Sequence, residues 1–244
     1  MRDFEKQVDI IYLATFVLLL SKLKKMSIAT ENFLKTIYHL NHQSEEDCKT
    51  GNVARKLGVT SAAATDMAKK LANKNLLIYK KYQEMKLTKE GGVLALKVIR
   101  KHRLWETFLH QTFKMSMHEI HKEAEGLEHQ TSDFLADKIN EYLNFPKFDP
   151  HGDPIPGADG SMAKDLLSIV LYKGKIGSRY KIVRLVSDEK EFFDFCSNNS
   201  IENGAEISIL NQYEKATLTE VKIANKTLIL PSTFTQNIYL HEIK

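Results

Sequence analysis

Apolar positions along the first half of the chain recur at helical rather than strand spacing. Phe33, Leu34, Ile37, Tyr38 and Leu40 share one helical stripe, and Thr30 stands where an N-cap is needed. After a polar loop over 41–49, Val53, Ala54 and Leu57 predict a short second helix stopped by Gly58. Thr60 or Ser61 can cap a third helix carrying Ala64, Met67, Ala68 and Leu71. The string LLIYKKYQEMKLTKEG then predicts two short strands, Leu77–Tyr79 and Met85–Leu87, around a loop over Lys80–Glu84, with Thr88 capping a further helix. Three helices at this spacing followed by a hairpin predict a winged helix-turn-helix.

Beyond residue 100 the helical period continues through Leu104, Trp105, Phe108 and Leu109, and again through Ala124 and Leu127. Residues 146–160 hold four of the five prolines and three glycines, which reads as a linker. The pattern changes after it. Gly177–Leu185, Ala205–Asn211, Ala216–Ile223 and Lys226–Leu230 alternate or run apolar with β-branched residues, and Phe192, Phe193 and Phe195 predict one short helix among them. The fold class is therefore mainly α with β.

A length of 244 residues suits one large domain or two to three small ones. Hydrophobic residues at 43% and charged residues at 27% exclude wholesale disorder and an integral membrane protein. Near the N-terminus, Ile10–Leu20 is an apolar run of eleven residues followed by Lys22, Lys24 and Lys25. That is shorter than the roughly 20 residues of a membrane span, and its positive charge lies on the wrong side for a signal peptide. Either residues 1–25 form an extra helix or translation starts at Met26. Two cysteines, Cys48 and Cys196, are too few for a disulfide scaffold, so a reducing, cytoplasmic setting is expected.

Charge is segregated along the chain. Residues 26–100 carry 13 Lys/Arg against 7 Asp/Glu, whereas 101–160 carry 6 against 11. A basic segment invites a polyanion and an acidic one a cation. Ser61, Ala62, Ala63 and Thr65 open the third helix and are small enough for its backbone to approach bases, while Lys69, Lys70, Lys80 and Lys81 can neutralise phosphates. Asp66 is the one acid on that face, and a winged helix used only for protein contacts is the alternative. In the acidic segment, five of the nine histidines lie between 102 and 129. His102 and Glu106 stand at i and i+4, and His121, Glu125, Glu128 and His129 at i, i+4, i+7 and i+8, so each set shares a helix face. Imidazoles and carboxylates without thiolates suit Mn(II), Fe(II) or Zn(II). His110 and His118 fall off these faces and read as surface residues.

The strings RKHRLWETF from Arg100, HEIHKEAEGLEHQTSD from His118 and FDPHGDPIPGADG from Phe148 resemble the metal-dependent repressors typified by the diphtheria toxin repressor and the manganese transport regulator. The resemblance runs from Ser27 to Lys244. It implies a homodimer that represses metal-homeostasis genes by binding a palindromic DNA operator when loaded with Mn(II) or Fe(II). It places a primary site on Asn32, Glu125, Glu128 and His129 and an ancillary site on His102, Glu106 and His121. Glu125 stands where the iron-sensing branch has cysteine, which favours manganese. Asn32 and Lys35 depart from the family, which often has Asp or Met at the first and, in a smaller manganese regulator, a ligating glutamate at the second.

The organisation so implied is an N-terminal extension over 1–25, a winged helix-turn-helix over 26–96 and a helical metal-binding and dimerisation domain over 97–148. A linker over 149–164 and a small β-barrel of the Src-homology-3 type, similar to ferrous transport A domains, over 165–244 complete it. Glu189 and Glu191 lie near where that barrel lends an ancillary ligand in relatives. Two other functions fit the bare residues: a winged-helix regulator insensitive to metal, and a metal-dependent hydrolase whose His/Glu cluster activates water. No substrate-binding motif, phosphate loop or nucleophile elbow supports the second, so no enzymatic activity, small-molecule substrate or membrane partner is expected.

Overall fold

A computed structural model describes residues 26–42, 46–162, 168–187 and 189–243. The extension expected over 1–25, with its apolar run, lies outside them. The chain divides into two compact units, Met1–Gly91 and Gly92–Lys244.

In the first unit, α1 (Ile28–His42), α2 (Thr50–Lys56) and α3 (Ser61–Asn73) precede a two-stranded antiparallel hairpin, β1 (Leu77–Ile78) and β2 (Lys86–Leu87). Phe33, Leu34 and Ile37 of α1, Val53 and Ala54 of α2, and Ala64, Ala68 and Leu71 of α3 are buried, which is the stripe that the spacing predicts. Thr60 makes the cap of α3, its hydroxyl accepting from the Ala63 N–H at 3.2 Å, and Gly58 supplies the left-handed turn before it at φ +63°. Met85, fully buried, anchors the hairpin: its N–H donates to the Cys48 carbonyl at 2.8 Å, and its carbonyl accepts from the Asn41 amide at 3.1 Å. Burial around Cys48 pushes its thiol up to about 11.

The second unit starts within the long helix α4 (Lys89–Phe113), followed by α5 (Met117–Glu128) and α6 (Asp133–Tyr142). Leu104 of α4, Ala136 and Ile139 of α6, Leu143 at its C-cap and Ile155 pack together, with Trp105 and Phe108 against them. The Pro/Gly-rich string reads as a linker, yet Asp149, His151, Gly152, Pro154, Ile155 and Pro156 are buried. Two arginines one turn apart on α4 explain this. Arg100 donates to the Pro156 carbonyl at 2.9 Å, and Arg103 to the Pro154 carbonyl at 2.5 Å and the Asp153 carboxylate at 3.1 Å.

The remainder forms one antiparallel sheet in the order β3-β8-β4-β5-β6-β7. Its strands are β3 (Ile169–Val170), β4 (Arg179–Leu185), β5 (Glu206–Tyr213), β6 (Leu218–Ile223), β7 (Lys226–Pro231) and β8 (Ile238–Glu242). Tyr180, Ile182 and Leu185 of β4, Ile207 and Ile209 of β5, and Val221 and Ile223 of β6 point into a core covered by α7 (Lys190–Asn198) through Phe192, Phe193 and Cys196. The short helix α8 (Ser232–Thr235) leads from β7 to β8. Register shifts between Ile182 and Arg184 and between Ile209 and Asn211 bend the sheet, but among the described residues its ends do not pair. The closed Src-homology-3-type barrel expected from the resemblance is thus found only as an open antiparallel sheet.

Two adjacent glycines of α4 have opposite surroundings. A Cβ on Gly91 would lie 2.0 Å from the Leu76 carbonyl oxygen, whereas one on Gly92 would meet nothing within 4 Å. Gly91→Ala should destabilise by about 1–3 kcal/mol through overpacking against backbone, while Gly92→Ala should stabilise by roughly 0.5–1 kcal/mol through helix propensity. Urea unfolding of the two variants checks the pair, and equal effects of the same sign would contradict this packing.

Candidate metal centre and nucleic-acid interface

On the first unit, Ser61, Ala62, Ala63, Lys69 and Lys70 are exposed along α3, and Lys80 and Lys81 in the hairpin loop. Thr65 is half-buried, and its hydroxyl donates to the Ser61 carbonyl at 2.7 Å, which draws it back onto the helix. Lys81 lies 4.8 Å from the centroid of the exposed Tyr82 ring at the loop tip. This is a basic surface with a bare, small-residue helix start, the arrangement that lets a helix approach a groove while lysines meet phosphates.

The second unit carries the His/Glu cluster. The start of α5 is fixed by a capping box, in which the Ser116 N–H donates to Glu119 at 2.8 Å and the Ser116 hydroxyl accepts from the Glu119 N–H at 3.4 Å. Its end is tied to α4: the Trp105 indole donates to the Thr131 hydroxyl at 2.7 Å, and that hydroxyl donates to the Leu127 carbonyl at 2.8 Å. Between these anchors, the ligand-type side chains of α4 and α5 meet. His102 Nδ1 lies 2.6 Å from Glu128 Oε2 and 3.9 Å from Glu125 Oε1. His102 Nε2 lies 3.0 Å from Glu106 Oε1 and 3.2 Å from His121 Nδ1, which is itself 3.1 Å from Glu106 Oε1. At the C-cap of α5, His129 Nε2 is 3.2 Å from Glu128 Oε1.

Burial makes this cluster chemically demanding. Glu106 is 2% exposed, Glu128 1% and His102 6%, so both carboxylates need a positive partner close by. Burial alone would raise the Glu106 pKa, but the His102 charge and the hydrogen bonds from His102 and His121 hold its carboxyl well below the usual range. His151, which the spacing arguments leave aside, completes the group, with Nε2 3.4 Å from Glu106 Oε1 but bent from hydrogen-bond geometry. Burial lowers the His151 pKa, but the contact with Glu106 and the charges of Glu106, Asp149 and Asp153 outweigh it and raise the pKa above the ordinary value. Asp149 is wholly enclosed, and burial, reinforced by the charges of Glu106 and Asp153, pushes its carboxyl up to about 7.

The sheet holds His151 in place. The Leu185 N–H donates to the His151 carbonyl at 2.9 Å, Arg184 pairs with Asp153 at 3.0 Å, and the His151 ring packs on Phe193 with centroids 5.3 Å apart. Gly152 is required there, at φ +95° with the position of a Cβ 2.0 Å from the Val183 carbonyl oxygen. The signal for His151 and Asp149 was the acid-Pro-imidazole-Gly string itself, which has no helical period to place it.

Of the residues expected as ligands, His102, Glu106 and His121 come together, and so do His102, Glu125 and Glu128. His102 thus belongs to both groups. His129 adjoins the second through Glu128, Asn32 sits on α1 of the first unit, and its side-chain oxygen is enclosed with no hydrogen-bond partner among the described residues. Glu189 and Glu191 are exposed around the start of α7 and join neither group. His110 and His118 are half-buried, His110 Nδ1 lying 3.0 Å from the Met115 carbonyl oxygen. The donors are oxygen and nitrogen only. Both cysteines are buried with thiols pushed up, to about 11 for Cys48 and about 12 for Cys196, so neither supplies a thiolate. Clustered buried carboxylates, converging imidazoles and an elevated Asp149 suit a divalent cation.

Comparison with known proteins agrees with this chemistry. Residues 25–85 match the iron dependent repressor N-terminal DNA binding domain, and residues 88–157 match the iron dependent repressor metal binding and dimerisation domain. The chain is 28% identical over 207 residues to a diphtheria toxin repressor of Corynebacterium efficiens, covering 81% of this chain and 89% of that protein. Among solved structures, a manganese-dependent transcriptional repressor in complex with manganese is 31% identical, covers 88% of this chain and 100% of its own, and has a TM-score of 0.82. The repressor ScaR with bound Zn2+ is 29% identical over 88% of this chain and 99% of its own, with a TM-score of 0.75.

The elevated Asp149 has a sign that can be measured without metal. A carboxyl whose pKa rises from 3.8 to about 7 on folding contributes stability that is complete below its unfolded value and is lost as pH climbs through about 7. Asp149→Asn keeps an acceptor for the Asp153 N–H, 2.8 Å away in the parent. It should narrow the difference in unfolding midpoint between about pH 5 and about pH 8 in chelator; an unchanged difference would contradict the assignment.

Proposed function

Because the chain belongs to the iron-dependent repressor family of metal-dependent, DNA-binding transcriptional repressors, we propose that it represses metal-homeostasis genes in response to Mn(II), with Fe(II) as the second choice. The observation that carries this reading is the buried, thiolate-free cluster of imidazoles and carboxylates between α4 and α5. Oxygen-rich donor sets with imidazole lean towards Mn(II) and Fe(II), and solved relatives include a manganese-dependent repressor in complex with manganese and the repressor ScaR with bound Zn2+. When bound, the cation supplies concentrated positive charge and a preference for one arrangement of its donors.

Glu125, Glu128 and His129 are the proposed regulatory donors, and Asn32 is the donor that the resemblance adds from the DNA-binding unit. His102, Glu106 and His121 are the proposed ancillary donors, supported by their approach within 3.0–3.2 Å of one another. On this proposal, a bound cation would couple the DNA-binding unit to those donors through Asn32. Operator affinity then rises by the difference in cation affinity between the binding-competent arrangement and the others, and by no more. The proposed protein is a homodimer, consistent with its metal binding and dimerisation domain, with one recognition helix α3 for each half of a palindromic operator. Lys69, Lys70, Lys80 and Lys81 fix position through phosphates, and Ser61, Ala62, Ala63 and Thr65 approach the bases.

The layout proposed is that of the sequence: DNA binding over 26–96, metal binding and dimerisation over 97–148, a connecting string over 149–164 and a small sheet domain over 165–244. The two bends in the sheet support an incomplete barrel of the Src-homology-3 type. A cytoplasmic location is proposed with this function. No helix among the described residues is long and apolar enough to cross a membrane.

The test uses a duplex enriched from a random pool in the presence of Mn(II), read by fluorescence anisotropy at fixed salt. Chelator should lower affinity by about tenfold or more, a coupling of roughly 1.4 kcal/mol or above. Glu125→Ala and His129→Ala should keep the fold, by circular dichroism, and lose the metal-induced gain, and Asn32→Ala should reduce it. Indifference to chelator would favour a metal-insensitive regulator. In the same assay, replacing one of Lys69, Lys70, Lys80 or Lys81 by Ala should reduce the slope of log affinity against log salt by about 1, and an unaltered slope would remove that lysine from the interface.

A further inference from the structure

We infer that Tyr82, at the tip of the hairpin formed by β1 and β2, reads base edges: its ring enters the minor groove beside the major groove that α3 approaches and selects A·T over G·C there. The inference rests on the DNA-binding reading above and deepens it by assigning sequence selectivity to a part of the interface other than α3. Its basis is an aromatic residue placed where the backbone disfavours one. The Gln83 N–H donates to the Lys80 carbonyl at 3.1 Å, which closes a tight turn with Tyr82 at its third position. Tyr82 there has φ +68°, a left-handed conformation that Gly or Asn adopts at little cost and a bulky residue does not. Burial does not offset that cost. At 84% exposure, Tyr82 is the most exposed large hydrophobic side chain among the described residues. Non-glycine residues held in such conformations concentrate at functional sites, and here the exposed ring is what the strained turn presents.

The hairpin holds that tip in a fixed relation to α3. Leu76, just before β1, donates its N–H to the Leu71 carbonyl of α3 at 3.0 Å, and the Thr88 hydroxyl after β2 donates to the Asn75 carbonyl at 2.8 Å. Buried Met85 ties the second arm to Cys48 and Asn41. Seating α3 in a major groove therefore carries the tip to the adjoining backbone and minor groove, a division of labour that other DNA-binding domains use. The charge of the tip suits that destination. Lys80, Lys81 and Lys86 are exposed around the ring, with Glu84 the one acid between them, and Lys81 Nζ lies 4.8 Å from the ring centroid, so cation and ring arrive together. Narrow A·T minor grooves concentrate the negative potential that draws lysines in. On their floor an A·T pair offers only acceptors, A N3 and T O2, to which a phenol O–H can donate. A G·C pair adds the guanine amino group, a donor that opposes the phenol hydrogen and takes up the space of the ring.

The full-length chain with Mn(II) is titrated by fluorescence anisotropy, at fixed salt, against the enriched duplex and copies in which successive short windows are made either G·C or inosine·C. Inosine keeps the major-groove groups of guanine and lacks only its minor-groove amino group, so the pair of substitutions isolates the minor groove. In at least one window of each half-site, inosine·C should bind about three- to tenfold more tightly than G·C. Tyr82→Gly should abolish that gain, and Tyr82→Asn, which also tolerates this φ, should do the same. Both variants should unfold at no lower urea concentration than the parent, which separates a lost contact from a lost fold. Equal affinity for inosine·C and G·C in every window, or a gain that survives both substitutions, overturns the assignment of Tyr82 while metal-dependent binding persists. Failure of the unsubstituted chain to bind any of these duplexes with Mn(II) overturns the DNA-binding reading beneath it.

Discussion

Two buried carboxylates, Glu106 on α4 and Glu128 on α5, are the constraint on which the rest of this structure turns. A buried carboxylate without a partner at contact distance is costly, and stripping one partner from a buried ion pair typically costs about 3–5 kcal/mol. The imidazoles of His102, His121 and His129 stand against them. The same imidazoles are the natural co-ligands of a divalent ion.

Much of the second unit exists to hold those few atoms. The Ser116 capping box and the Trp105–Thr131–Leu127 chain of hydrogen bonds set the position of α5 against α4. Arg100 and Arg103 pin the Pro/Gly-rich string along α4, and β4 grips the same string through Leu185, Arg184 and the close approach at Gly152. His151 is consequently positioned from both sides, by the helices through Glu106 and by the sheet through its own carbonyl. The open sheet thereby helps to hold the candidate site, and its folding bears on the placement of His151.

The helical parts of this arrangement were legible in the sequence because burial writes a 3.6-residue period. The stripes through Phe33–Ile37 and Ala64–Leu71 emerge as α1 and α3, and the i, i+4 pairing of His102 with Glu106 becomes a 3.0 Å contact. Spacing could not say which way a ring nitrogen points, and His102, expected with Glu106 and His121, also lies within reach of Glu125 and Glu128. His151 and Asp149 escaped because an irregular string carries no period, and its proline and glycine content suggested a tether rather than a packed wall. Strand alternation announced the sheet but not its closure, since pairing at the ends depends on strand length and register between distant residues.

The claim beneath all of this is that the atoms gathered between α4 and α5 bind a cation through both oxygen and imidazole nitrogen. X-ray absorption at the manganese edge, on the full chain with one equivalent of Mn(II), tests it most directly. The account predicts a first shell of mixed oxygen and nitrogen with the multiple-scattering signature of at least one imidazole ring. A spectrum of fully hydrated or all-oxygen Mn(II), with no imidazole contribution, would contradict it.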